Sequence, residues 1–281
     1  MALSQADFTY VSTMVRREAA IVLAPGKEYL VEARLIPVAR QVGAADVATF
    51  LADLQRRPNI EHQRRIIDAL TTNETSFFRD REPFAALANT VLPELVKARG
   101  STRKLRFWSA ASSSGQEAYS LAITLQEELP TGWSFDIVGS DISTAMVKRA
   151  QTGEYSQVEV NRGLPASQLV QYFERAGAHW RVVPTLRRNV EFRQMNLTTP
   201  LPAMQPFDVI FLRNVLIYFD VATKRTVLRN AAKLLRPDGW LFLGAAETTI
   251  GIDDNYERVP AGRTSAYRLK SAVPAGAARR G

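Results

Sequence analysis

The sequence predicts an α/β protein: a parallel sheet covered on both faces, preceded by a helical segment and interrupted by a small β-rich insertion. Three observations lead there. Strand formers at 104-KLRFWSA-110 break into a loop of Ala, Ser and Gly, which restarts as the helix 116-QEAYSLAITLQEEL-129. The run 135-FDIVGSD-141 is a second short apolar strand that ends in a carboxylate. Beyond about residue 103 such strands alternate with helical periodicity, as in sheets buried on both sides.

Residues 5 to about 88 read as helices. Phe8, Val11, Val15 and Ala19 follow helical spacing, as do Leu30, Ala33, Leu35 and Val38. Pro37 should end or kink that second helix. A third helix over 46–57 opens on a capping Asp46, and a fourth covers 60–73. Neither strand alternation nor a Gly-rich loop occurs here, so a helical domain over 1–88 is expected.

The strands that follow are 104–110, 135–141, 189–196, 207–214 and 239–245, with helices at 116–128, 143–151 and 222–235. Helix 222–235 should lead through a Pro-Asp-Gly turn (237–239) into the last core strand. Between about 154 and 188 the pattern falters at Gly163, Pro165, Gly177 and Pro184. That stretch, with a helix-like 166–175 and a β-rich 179–184, reads as an insertion within a unit spanning 89–271. Two closing strands are expected around Pro260-Ala261-Gly262, and the small, basic residues 272–281 should form a disordered tail.

Composition narrows the chemistry. Of 281 residues, 46% are hydrophobic and 23% charged, the balance of a soluble globular protein. No apolar run reaches the ~18 residues that span a bilayer, and no secretory signal is evident at the N-terminus, so a cytoplasmic location is expected. There is no cysteine, and the two histidines, His62 and His179, stand far apart. Disulfides, thiolate nucleophiles, metal sites and histidine-centred triads are therefore not expected. The net charge of +8 comes mainly from arginine spread along the chain, densest early at Arg56-Arg57 and Arg64-Arg65. Without interleaved aromatics this favours an acidic protein partner over nucleic acid.

Four clusters sit at strand ends or just ahead of the sheet. They are 71-TTNETSFFRD-80, the loop 109-SAASSSGQE-117 with Asp141, Asn196-Leu197, and 213-RNVLIYF-219. Strand, small-residue loop and helix form a backbone cradle whose amides can face a ligand. Asp141 stands where doubly wound sheets hold a ribose diol, so a nucleoside-bearing cofactor is expected at the strand ends.

Over residues 8–270 the chain resembles the CheR-type chemotaxis-receptor glutamate methyltransferases. The motifs carrying the match are T-T-N-E-T-S-F-F-R, W-S-A-A-S-S-S-G-Q-E-A-Y-S, S-D-I-S, N-L, R-N-V-L-I-Y-F-D and L-R-P-D-G. The resemblance implies a class I S-adenosylmethionine-dependent methyltransferase sheet of Rossmann-like form behind an N-terminal helical domain. It implies S-adenosylmethionine as methyl donor, S-adenosylhomocysteine as product, and a glutamate on the cytoplasmic helical domain of a chemotaxis receptor as acceptor. Asn73, Thr75, Arg79, Glu117, Asp141, Asn196, Leu197, Asn214 and Val215 would line the cofactor pocket, with Arg79 and Tyr218 nearest the transferred methyl. Arg34 and Arg40 would face the receptor, although Pro37-Val38 stands between them where a more basic pair is expected.

Methyl transfer to a carboxylate suits this inventory. The acceptor is already ionised at neutral pH, so neither a general base nor a metal is required, and positioning carries most of the work. The insertion stretch 173-FERAGAHWRVV-183 is about three residues shorter than in relatives that tether to a receptor's C-terminal pentapeptide, so no such dependence is expected. Ala245-Ala246 ahead of Glu247 is a further departure. Two other readings remain open at this point. A nucleic-acid methylase fits the charge, but the fourth strand ends in R-N-V-L-I-Y-F rather than an Asn/Asp-Pro-Pro-aromatic motif. A non-catalytic scaffold sensing S-adenosylhomocysteine has no need of both Arg79 and Tyr218. A monomer without membrane insertion is expected.

Overall fold

Ser4 turns its hydroxyl onto the Asp7 amide and so starts helix α1 (Gln5–Ala19), in a computed structural model that describes residues 3–270. Helix α2 (Glu28–Gln41) follows, then α3 (Val47–Arg56) capped by Asp46 and α4 (Ile60–Leu70) capped by Asn59. Phe8, Val11, Val15, Leu35, Leu51 and Ile66 close a common core among them. Two expectations need correction. Helix α2 does not end at Pro37 but continues to Gln41. The proline ring removes one donor, but Ala33, whose carbonyl loses that bond, lies on the exposed face where water can replace it. Helix α4 stops at Leu70, because Thr71 takes extended backbone (ψ 145°) and carries the chain towards the sheet.

Next come α5 (Glu82–Ala86), a π-helical turn (Leu87–Val91) and α6 (Leu92–Ala98), a helical stretch that extends beyond the residue 88 read from sequence. Phe77, Phe84, Leu87 and Leu95 pack with Leu105 and Phe107 of the sheet, not with the bundle.

The sheet contains β1 (Lys104–Ala110), β2 (Ser134–Asp141), β6 (Val190–Gln194), β7 (Phe207–Leu212), β8 (Leu235–Leu243), β9 (Tyr256–Ala261) and β10 (Thr264–Leu269), in the order β6-β2-β1-β7-β8-β10-β9. Strand β1 lies parallel to β2 on one side and β7 on the other. The winding therefore reverses at β1, which opens a crevice beyond the carboxyl ends of the strands. Side chains alternate between two cores, Phe107, Val209 and Trp240 on one face and Trp108, Ile210 and Leu241 on the other. Helices α7 (Gln116–Glu128) and α8 (Thr144–Thr152) follow β1 and β2, and α12 (Val221–Leu234) precedes β8. The hairpin β9–β10 turns at Gly262 and closes the sheet antiparallel.

Strand β8 corrects another expectation. The Pro-Asp-Gly segment is not a turn before the strand. It is a bulge inside it, lying between the pairs Phe207–Leu235 and Val209–Trp240. Arg99 holds the bulge, donating to Asp208 at 2.8 Å and through both Nη atoms to Asp238 at 2.6 and 2.8 Å. A Cβ on Gly239 would come within 3.0 Å of the Asp208 carbonyl, so glycine is needed there.

Between β2 and β6 lies a three-stranded antiparallel sheet of β3 (Glu154–Ser156), β5 (His179–Val182) and β4 (Phe173–Ala176). Helices α9 (Gln157–Asn161), α10 (Ala166–Tyr172) and α11 (Pro184–Arg187) connect it. The helix expected over 166–175 ends at Tyr172, because Phe173 pairs with Val182 and stacks edge-on against Phe77. Among the described residues no helix is long and apolar enough to cross a membrane. The tail expected at 272–281 lies outside the described residues.

Candidate active site

Beyond the carboxyl ends of β1, β2 and β7, where the sheet meets the bundle, lies a cleft. Asp141 ends β2 at its floor and is 6% exposed. Its Oδ2 accepts the Ser113 N–H at 2.9 Å and its Oδ1 the Ser143 N–H at 2.9 Å. A carboxylate offers roughly four lone-pair sites, so two remain for hydroxyl donors in the cleft. Burial pushes the Asp141 carboxyl above its ordinary range, the Ser143 and Ser113 amides oppose this, and Asp68 of α4 adds to the rise.

The loop after β1 differs from the cradle expected of it. The N–H groups of Ser112, Ser113 and Gly115 are already engaged, by the Ser140 carbonyl, Asp141 and the Ser112 carbonyl. The position of Gly115, in left-handed backbone (φ 96°), faces Ala150, Phe192 and Tyr155 rather than the cleft. Glycine here allows core packing. Only Ala111 and Ser113 of the loop line the cavity, which is built for diol and apolar contacts more than for a phosphate cradle.

Glu117 stands in the first turn of α7. Its Oε1 accepts the Ser109 hydroxyl at 2.8 Å and its Oε2 accepts Arg213 Nη1 at 3.0 Å. Burial raises its carboxyl above the ordinary range, and Arg213 pulls it back. Arg213, the residue after β7, is 1% exposed in its side chain and also donates to the Arg79 carbonyl and to Asp80.

Arg79 sits in a strained turn. Phe78, Asp80 and Arg81 all take left-handed backbone (φ 48°, 66° and 46°), at about 1–3 kcal/mol each. The Arg79 guanidinium donates to the Glu74 carbonyl at 3.0 Å, which directs it along the cleft wall. Asn214 is also left-handed (φ 58°) and leads into a 3₁₀ turn, Leu216–Tyr218, with Tyr218 half-buried at the rim.

Asn73, Thr75, Arg79, Glu117, Asp141, Asn196, Leu197, Asn214, Val215 and Tyr218 all line this one cleft. Besides Asp141, Glu117 and Arg79, two more of them use polar groups within the protein. Asn196 donates Nδ2 to the Glu18 carbonyl at 2.8 Å and accepts from Thr198, which ties the end of α1 to the sheet. Asn73 accepts the Ser113 hydroxyl on its carbonyl at 2.8 Å. The two docking residues separate. Arg34 turns inward, donating to the Leu70 and Thr71 carbonyls at 3.0 and 3.3 Å, and it lines the cleft; Arg40 is exposed and lies outside it. Arg34 thus braces the link between bundle and sheet, because the α4 carbonyls it meets have no helical partner.

Sequence reasoning passed over Arg213 as a separate contributor, and left Glu247 without a role. The cleft's apolar walls, Ile21, Val22, Ile142 and Met195, also went unnoticed, since nothing in an apolar side chain's spacing marks it as cleft-lining.

Comparison with known proteins agrees with this geometry. Residues 6–71 match the family described as CheR methyltransferase, all-alpha domain, and residues 73–264 match CheR methyltransferase, SAM binding domain. The chain is 39% identical over 279 residues to chemotaxis protein methyltransferase 1 of Pseudomonas aeruginosa, covering 96% of this chain and 100% of that protein. It is 37% identical over 278 residues to chemotaxis protein methyltransferase Cher2 of Pseudomonas putida, with the same coverages. Against a chemotaxis protein methyltransferase of Vibrio parahaemolyticus, identity is 38% over 276 residues, covering 95% and 98%.

Proposed function

Since the chain belongs to the CheR methyltransferase family, we propose that its cleft combines a floor that holds the methyl donor with a rim that orients the acceptor. The protein is an S-adenosylmethionine-dependent protein-glutamate O-methyltransferase acting on chemotaxis receptors. The cleft suits that donor: a buried carboxylate with free lone pairs faces a ribose diol, and Ile142, Met195, Leu197 and Val215 offer apolar surface for a base. When bound, the donor supplies an electrophilic methyl group on sulfur, with a neutral thioether as leaving group.

The residues divide the remaining work. Asp141 accepts the ribose hydroxyls, and Glu117 offers its remaining lone pairs to a polar group elsewhere on the donor. Asn73, Thr75, Asn196, Leu197, Asn214 and Val215 complete the wall. Arg79 donates to the acceptor carboxylate, which lowers the cost of desolvating it, and Tyr218 orients the attacking oxygen. No proton is moved, because the acceptor is ionised at neutral pH. One observation carries this reading: Asp141, Arg79 and Tyr218, from three separate segments, meet across a single cleft.

The acceptor is a glutamate on the helical cytoplasmic part of the receptor. Arg40, with Arg56, Arg57, Arg64 and Arg65, offers the steering charge, and Arg34 serves instead as a brace. The turn joining β4 to β5 is only Gly177-Ala178, which supports catalysis independent of a receptor-tail pentapeptide. A monomeric cytoplasmic enzyme completes the proposal; its division lies near residue 72, where the two family matches meet, rather than at the residue 88 expected from sequence, and its insertion at about 154–188.

Incubation with radiolabelled donor and receptor cytoplasmic fragments tests it. Base-labile methyl label on the fragment is expected. Label that survives alkali, or label on nucleic acid, would count against it.

A further inference from the structure

The turn that carries Arg79 costs energy, and something must hold it. Phe78, Asp80 and Arg81 are three non-glycine residues in left-handed backbone around one side chain. Without tertiary restraint such a turn relaxes, and Arg79 leaves the cleft wall. Two polar side chains and one aromatic contact restrain it from the folded core. The Phe78 N–H donates to the Ser120 hydroxyl of α7 at 2.9 Å, and the Phe78 ring packs edge-on against Phe84 of α5, 5.2 Å between ring centres. The second polar side chain is Arg213, which hydrogen-bonds both Arg79 and Asp80.

Arg213 reaches the turn from the end of β7, the most buried strand of the sheet. Its Nη2 donates to the carbonyl of Arg79 itself at 3.0 Å and to Asp80 Oδ2 at 2.7 Å. Its Nη1 donates to Glu117 at 3.0 Å, and the guanidinium lies 5.8 Å from the centre of the Phe84 ring. The side chain thus joins β7, α7 and both sides of the turn with one planar group. Its Nε is buried without a partner among the described residues, so the guanidinium is held for these contacts rather than for full satisfaction of its own donors. Lysine cannot substitute, since one ammonium cannot face Glu117 and the Arg79 carbonyl from two fixed nitrogens.

We propose that Arg213 is a positioning residue for methyl transfer: it fixes the strained Phe78–Arg81 turn, and acts on turnover through the placement of Arg79, beside its ion pair with Glu117 at the cleft. This rests on the methyl-transfer reading above. It goes beyond that reading by assigning work to a residue that need touch neither donor nor acceptor.

The test compares wild type, R213K, R79A and the R213K/R79A double variant. Turnover is read as base-labile ester on receptor fragments, donor affinity by calorimetry with S-adenosylhomocysteine, and turn mobility by hydrogen exchange of the peptide covering residues 76–82. R213K should lower kcat by roughly 10–100-fold, the scale of a displaced catalytic group, with affinity changed by less than about threefold. Exchange in 76–82 should rise while the β1 and β7 peptides stay protected. In the double variant the loss should match that of R79A alone within about twofold, since Arg213 then has nothing left to position.

Wild-type turnover by R213K, multiplied losses in the double variant, or unchanged exchange in 76–82 would each overturn the proposal. Should R213K fail to fold, Asp80→Asn tests the same link at a half-exposed side chain, with the same non-additivity required. A wild-type protein that labels nothing, while exchange in 76–82 rises in R213K, would remove the methyl-transfer reading and leave the tie to the turn standing.

Discussion

Glu247 holds Asn214 in its left-handed conformation. Its Oε2 accepts the Asn214 N–H at 2.8 Å and the Gly244 N–H at 2.7 Å, while Oε1 accepts the Ile217 N–H at 3.3 Å. One carboxylate thereby sets the segment from Asn214 to Tyr218. A Cβ on Gly244 would lie 2.7 Å from that oxygen, which accounts for the glycine.

Glu247→Ala should release this segment. Each lost bond to a charged acceptor is worth ~1.5–3 kcal/mol, so thermal melting should shift down by several degrees. Turnover should fall further than that shift explains, because Tyr218 loses its placement. Unchanged kcat in a folded variant would mean that the segment holds itself.

Asp141→Ala should weaken S-adenosylhomocysteine binding by roughly 10–100-fold, the loss expected for hydrogen bonds to a buried charge. The variant also frees the Ser113 and Ser143 amides, so the melting temperature should be measured in parallel. Calorimetry showing unaltered affinity in a folded variant would exclude a diol at this carboxylate.

Acidification should weaken donor binding earlier than an ordinary aspartate would allow. Burial raises the Asp141 carboxyl above its usual 3.8, the two amides oppose this, and Asp68 adds to the rise. As the pH falls towards the raised value, a protonated oxygen becomes a donor and can no longer accept a hydroxyl. For stability the sign is reversed. The folded pKa exceeds the unfolded one, so the ionised group costs stability above the folded value, and that cost is relieved as pH falls through the window between the two. Equilibrium dialysis across pH should show affinity declining while the fold holds. A flat profile in wild type would refute this.

Pro37→Ala should stabilise the bundle by about 1–3 kcal/mol, by restoring a donor to the Ala33 carbonyl and removing the ring from the helix interior. Urea unfolding reads it directly. A neutral result would mean that water at the exposed carbonyl already compensates in full.

Asp141 and the run before it were legible in sequence because strand periodicity and a terminal carboxylate are local patterns. The ten cleft residues were legible through motifs. The bulge at Arg236–Gly239 was not, because its cause, the fork from Arg99 to Asp208 and Asp238, spans more than a hundred residues. The internal bonds of Arg34 were not legible for a similar reason. Its charge suggested a partner's surface, whereas its nearest acceptors are carbonyls left open at the end of α4. Pro37 misled because the rule against interior proline assumes that the orphaned carbonyl is buried.

The end of α1 is fastened to the sheet at three places: Glu18 to Asn196, Arg16 to Asp220, and the Val22 N–H to the Tyr218 carbonyl. Chimeras that exchange bundles between homologues, to redirect which receptor is modified, must therefore carry compatible residues at 196 and 220 and keep the backbone contact at 218. A swap cut cleanly at residue 72 would transplant the recognition surface and lose a wall of the pocket.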